Sequence, residues 1–199
     1  MKNIKSQLQK LFFRKRFYLK AYKPLKKAVP EKTIQITSAW KGLELIIEDI
    51  LNRFNIERGS CIEFGVEYGF SAVVFSNYFK KVTGVDTFIG DKHSAHKGDH
   101  YDQTKKALNE FKNIELFKSD YRDWIQEDTN QYDFAHVDIV HDYKETYECG
   151  LWAVQHSSCC IFHDTESFPE VRRAVFDIAK NSGKKVYNYP YHNGLGIIV

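Results

Sequence analysis

The chain has 199 residues, 43% hydrophobic and 15% aromatic, which is enough apolar side chain for one domain with its own core and too much for a disordered chain. Its net charge of +3 is unevenly placed: residues 1–32 hold eleven Lys or Arg against a single acid, Glu31, about +10 in all, and leave the remainder near −7. An acidic body argues against nucleic acid as a partner, no apolar run reaches the roughly 20 residues that cross a bilayer, and the charged N-terminus lacks the apolar stretch of a secretory leader, so a cytoplasmic protein is expected.

Residues 1–35 read as a basic extension outside a single domain at 36–199. Leu8, Leu11, Phe12, Phe17, Tyr18, Leu19 and Tyr22 are interleaved with its cations. That pattern fits a basic amphipathic helix lying on the inner face of a membrane, a helix packed on a second subunit, or a solvated arm. Pro24 and Pro30 close the segment. Thr37 or Ser38 then caps a helix whose Trp40, Leu43, Ile46, Ile47, Ile50, Leu51 and Phe54 fall on one face. From Cys61 onward strands and helices alternate. Strands are expected at 61–66, 81–87, 114–120, 132–140 and 159–165. Helices are expected at 71–79 and 103–111, briefly after Tyr121, and at 144–155 and 170–182. Segments 184–190 and 194–199 pair across a short turn. This order predicts an α/β fold in three layers, a doubly wound and mostly parallel sheet ending in an antiparallel hairpin. The four cysteines, Cys61, Cys149, Cys159 and Cys160, have no metal or redox spacing and read as reduced structural residues. Cys159 and Cys160 are neighbours on one strand and should face opposite sides of the sheet.

In such sheets ligands bind beyond the carboxyl ends of the strands. Those ends carry Glu63 to Gly69, Asp86, Asp120, Asp138 to His141, and His163-Asp164. The first turn, EFGVEYGFS, is not a dinucleotide fingerprint: counted from Gly65, the second and third glycine positions hold Glu67 and Phe70. A carboxylate there has the wrong charge for a pyrophosphate. A Walker loop is absent, and Val73 breaks a nucleophile elbow. The glycines still admit a ligand close to the backbone, and the acids suit one that is cationic and free of phosphate.

EFGVEYGFS followed by VTGVD resembles the cofactor-binding region of class I S-adenosylmethionine-dependent methyltransferases, a Rossmann-like superfamily, over roughly residues 38–199. The resemblance implies a cofactor site built from Glu63, Gly65, Gly69, Ser71, Asp86, Asp120 and Tyr121. Asp86 would take the ribose hydroxyls, since a carboxylate can accept from two vicinal O–H groups. Asp120 and Tyr121 would sit near the adenine. Read from the residues alone, the second-ranked alternatives are that Glu63 is a buried, hydrogen-bonded carboxylate that only shapes the turn and that Asp120 is a helix cap.

The second cluster, HVDIVHDYKETYECGLWA with CCIFHDT, is similar to the branch of metal-dependent macrolide-sugar O-methyltransferases and cephalosporin-hydroxylase-like proteins. That likeness implies Asp138 and Asp164 as ligands of magnesium or another divalent cation, and His141 as general base. The branch often has an acid where His163 stands; a nitrogen ligand there would favour a transition metal over magnesium. The Gly-Asp-x-His run at Gly90 also resembles this branch and suggests substrate contacts from Asp91 and His93, joined by Tyr143 and His163. A polar loop explains His93, His96 and His100 better than a zinc site, because no cysteine joins them. The function implied is O-methylation of a small-molecule or glycan hydroxyl. An Asn/Asp-Pro-Pro-Tyr run, the mark of DNA amino-methylation, is missing after the fourth strand. The alternatives are a nicotinamide-dependent oxidoreductase, which Glu67 opposes, and a partner-binding pseudoenzyme. Homo-oligomerisation is left open.

Overall fold

The computed structural model describes residues 11–92 and 98–199. One eight-stranded sheet organises the chain: β1 (Lys20–Ala21), β2 (Ser60–Phe64), β3 (Lys81–Asp86), β4 (Ile114–Lys118), β5 (Tyr132–Val137), β6 (Ser157–His163), β7 (Val186–Tyr189) and β8 (Leu195–Ile198). Their order across the sheet is β1-β7-β8-β6-β5-β2-β3-β4. β4, β3, β2, β5 and β6 are parallel neighbours. β8 runs antiparallel to both β6 and β7, the expected terminal hairpin. The crossovers are α1 (Ile47–Arg53), α2 (Phe70–Ser76), α3 (Tyr101–Ala107), α4 (Tyr121–Glu127), α5 (Tyr143–Gln155) and α6 (Pro169–Ser182).

Period-two alternation along the strands fills both faces, as a sheet covered on two sides requires. Ile62, Phe64, Ala135, Val137, Cys160 and Phe162 pack beneath α4, α5 and α6. Cys61, Phe134, Cys159 and Ile161 face the other way, against α1, α2 and Trp40. The adjacent Cys159 and Cys160 thus enter opposite layers, and all four cysteines are buried free thiols. Burial pushes each thiol up.

Two expectations change. The helix expected from Thr37 or Ser38 starts at Ile47, after a short 3-10 turn. Gly42, at φ 101°, breaks the helical path. Trp40 and Leu43 are buried all the same, so hydrophobic spacing found the core and missed the helix boundary. The second change is at the basic segment, where residues 17–22 are built into the sheet. β1 pairs in parallel with β7. Phe17, Leu19 and Tyr22 are buried, and the Tyr22 hydroxyl donates to Asp49 at 2.5 Å. Arg172, buried on α6, donates from Nε to the Phe17 carbonyl at 3.0 Å. A two-residue strand among lysines offers too little pattern to be read in advance. Among the described residues no helix is long and apolar enough to cross a membrane.

Candidate functional site

A cavity of about 970 Å³ opens at the carboxyl ends of the parallel strands. Gly65, Val66, Glu67, Ser71 and Asp86 line one end of it, and Asp138, His141, His163, Asp164 and Phe168 the other. Among the described residues eight carboxylates line it against one Lys and one Arg, so it favours a cationic ligand.

The first turn is fixed by backbone geometry. Gly65 has φ 88°, and a Cβ there would lie 1.8 Å from the Asp138 carbonyl oxygen. The β2 and β5 ends are therefore in backbone contact, which a side chain would abolish. Gly69 caps α2 in the left-handed conformation without lining the cavity. Asp86 holds the turn from beneath: Oδ2 accepts from the backbone N–H groups of Val66 (2.7 Å) and Glu67 (2.8 Å), and Oδ1 from Phe88 (2.7 Å). Three of its four or so lone-pair directions are thus occupied. Glu67, a second cavity carboxylate, sits beside it at φ 51°.

Glu63 is not where the resemblance would put a cofactor ligand. Strand alternation turns it under the α1–α2 layer, fully buried and away from the cavity lining. His136 Nε2 accepts the Trp40 indole N–H at 3.1 Å, so Nδ1–H is left to donate to Glu63 Oε1 at 2.8 Å. Among the described residues Glu63 Oε2 has no hydrogen-bond partner. Asp120 does line the cavity, yet it also caps α4 and binds Arg122 with both oxygens, at 2.8 and 2.6 Å. Hydrogen bonds from Arg122 hold its carboxyl below the ordinary range. Tyr121 lines the cavity, with its hydroxyl buried and unpartnered.

At the far end His141 Nε2 lies 2.9 Å from Asp164 Oδ2 and 3.4 Å from Asp138 Oδ1. Burial opposes a charge on His141, but hydrogen bonds to both carboxylates outweigh it and push the imidazole up to about 10. His163 donates from Nδ1 to Asp138 Oδ2 at 3.0 Å and faces the His192 carbonyl through Nε2 at 3.3 Å. Burial opposes its charge too, and Asp138 and Asp164 overcome that, raising its pKa. Burial alone would raise Asp138; the His163 charge and hydrogen bonds from His141 and His163 hold it far below the ordinary carboxylate range. Donor atoms of Asp138, His141 and Asp164 all lie within 4.8 Å of one another, a spacing that fits one divalent cation. Asp164 reaches this cluster from a left-handed turn, φ 65°, directly after β6. Phe168 stacks on the His141 ring at 4.1 Å.

Tyr143 stands apart from its expected substrate role: it begins α5, donates to Asp177 at 3.0 Å, and does not line the cavity. Asp91 does line it. His93, with His96, lies outside the described residues. Trp40, Tyr68, His100, Lys92 and Phe168 also line the cavity and were not singled out for a binding role. Trp40 looked like helix core, and Phe168 carries no local pattern. His100, 7% exposed, bonds the Gly98 carbonyl at 3.1 Å, as a structural histidine does.

A family described as a methyltransferase domain matches residues 62–165, just over half of the chain. A search of curated proteins gives no match. Among solved structures, the O-methyltransferase NovP aligns with TM-score 0.62 and 12% identity, covering 79% of this chain and 77% of its own. An O-methyltransferase from Bacillus cereus in complex with SAH gives 0.55 and 14%, covering 86% and 84%. TomG from Streptomyces achromogenes, an O-methyltransferase involved in tomaymycin synthesis and solved with SAM, gives 0.57 and 13%, covering 82% and 81%. At these identities the structural likeness speaks to the fold.

Proposed function

The chain belongs to the methyltransferase-domain family of the class I S-adenosylmethionine-dependent superfamily, and from that membership we propose that it transfers the methyl group of S-adenosylmethionine to a hydroxyl of a small-molecule or glycan acceptor. One observation carries this reading: a single acidic cavity has a glycine turn braced by Asp86 at one end and a His–carboxylate cluster at the other. S-adenosylmethionine supplies an activated methyl on a cationic sulfur, which the acidic lining suits. Asp86 offers the ribose its remaining lone pair, with Glu67 beside it. Gly65 lets the methionine portion lie against the backbone. Asp120 and Tyr121 border the adenine end.

The acceptor hydroxyl then enters between this turn and Asp138, His141 and Asp164. The bond from methyl to sulfur breaks as the bond from methyl to acceptor oxygen forms, and the hydroxyl proton passes to His141 Nε2. That nitrogen must be neutral to act, whereas Asp138 and Asp164 favour its protonated form. A divalent cation, when held by those two carboxylates, offsets their pull on His141 and lowers the pKa of a hydroxyl it orients. Phe168, stacked on the ring, keeps the imidazole facing the carboxylates. Asp91 and His163 flank the acceptor space.

Calorimetric titration with S-adenosylhomocysteine tests the reading. Micromolar binding is expected, weakened at least about tenfold, or about 1.4 kcal/mol, by Asp86→Ala. No binding by the wild-type protein would overturn it. A nicotinamide cofactor binding in its place would revive the oxidoreductase alternative.

A further inference from the structure

We propose that the edge of the sheet formed by β1, together with the flanking residues 11–29, docks on an anionic lipid surface. Seven large apolar side chains are exposed in the described chain, and five of them lie here: Leu11, Phe12, Tyr18, Leu25 and Val29. Leu25 and Val29 are 87% and 78% exposed. Among them stand seven exposed cations, Lys23, Lys26 and Lys27 included, and no acid occurs between residues 11 and 30. Buried Phe17, Leu19 and Tyr22 pin the segment to the sheet, so these side chains are presented by a fixed element. Exposed apolar groups on a held segment call for an occupant. Arg14 is paired with Glu166, and the other six cations beside these insertable side chains match a bilayer of anionic headgroups over an apolar interior.

The acidic body gives this binding a direction. The rest of the protein, about −7 outside its first 32 residues, is on average repelled from an anionic surface, which favours this edge. The edge is also close to the site. β1 is parallel to β7 and hence runs in the same sense as β6, whose last residue, His163, lines the cavity. Residues 23–29 therefore leave the sheet at the cavity end, and the chain reaches the lining at Ile36 a few residues later. Exposed Tyr191, in the β7–β8 turn, is at the same end. A lipid surface held here lies beside the cavity mouth, where an amphiphilic acceptor would be delivered.

Deleting the segment would remove β1 and the Tyr22–Asp49 bond, so point variants are the right probe. The full chain is sedimented with phosphatidylcholine vesicles, with and without about one third phosphatidylserine. It should pellet with the anionic vesicles only, and less as salt rises. The pair Lys23→Glu and Lys26→Glu, whose ammonium groups have no hydrogen-bond or ion-pair partner among the described residues, should weaken partitioning at least about tenfold, at roughly a fivefold loss for each basic residue removed from the surface. Leu25→Ser with Val29→Ser should weaken the salt-resistant part. Lys105→Glu with Lys106→Glu, on the helix beside β4 at the opposite edge of the sheet, should change partitioning less than twofold. Unchanged melting temperatures confirm that the variants fold. Failure to pellet with anionic vesicles, equal pelleting with both lipids, an equal loss in the remote pair, or tighter binding to a duplex oligonucleotide at the same salt would each overturn the proposal. None of these outcomes depends on methyl transfer.

Discussion

Glu63 separates a cofactor ligand from a structural carboxylate, and the two predict opposite results. Glu63→Ala removes the acceptor of the His136 Nδ1–H bond at a site with 0% exposure. A buried donor left alone costs about 1–3 kcal/mol. The lost methylene and carboxyl leave a void of roughly 50 Å³, which at about 24 cal/mol per Å³ adds about 1 kcal/mol. A total of about 2–4 kcal/mol should lower the melting temperature by roughly 4–16 °C in a chain of this length. Glu63→Gln keeps an oxygen for His136 and conserves volume, but its amide N–H2 takes the place of Oε2, which has no partner among the described residues, so it leaves no void and should cost about 1–3 kcal/mol. Because Glu63 does not line the cavity, neither change should shift the S-adenosylhomocysteine dissociation constant more than about twofold where both variants are folded. Thermal melts followed by circular dichroism, paired with calorimetry, read both quantities. A tenfold loss of affinity in Glu63→Gln at an unchanged melting temperature would refute the structural role.

Gly65→Ala sets a Cβ against the Asp138 carbonyl and should abolish both soluble folding and ligand binding. Gly183→Ala, also left-handed but facing open space, should cost only about 1–2 kcal/mol in the same melts. Arg172→Met removes the donors to the Phe17 carbonyl and to Glu166. Glu166 keeps Arg14 and Asn188, so a loss of about 2–3 kcal/mol is expected, below the usual 3–5 for breaking a buried pair. Trypsin should then cut after Arg16 or Lys20 faster; an unchanged rate would show that Arg172 does not hold the segment. Burial alone would raise the Asp128 carboxyl, but hydrogen bonds from Tyr132, Asn130 and Trp124 hold it below its ordinary value. Such a group stabilises the fold above its unfolded pKa of about 3.9, and that contribution is lost as pH falls through the folded value. Urea melts should therefore show Asp128→Asn less stable than the parent at about pH 7, with the gap narrowing toward about pH 3.

The order of strands and helices, the terminal hairpin and the opposite facing of Cys159 and Cys160 were legible because periodicity is local and each segment carries its own pattern. Asp86, Asp138 and Asp164 were legible as cavity residues because strand ends can be counted and the sheet sends its carboxyl ends to one side. The rest needed contacts between distant segments. Whether Glu63 faces the cavity or the core depends on His136 and Trp40, 73 and 23 residues away in sequence. The Tyr143 hydroxyl chose Asp177 on α6, and Phe168 found His141 across two strand ends. Lys20–Ala21 became an edge strand only because β7 offered an open row of backbone groups, and Arg172 held the preceding Phe17 through a buried donor. Composition and spacing could therefore name the fold and the ends of the strands. Which side chains share a cavity was decided by tertiary packing, since a hydrogen bond between two distant residues leaves no trace in the neighbourhood of either.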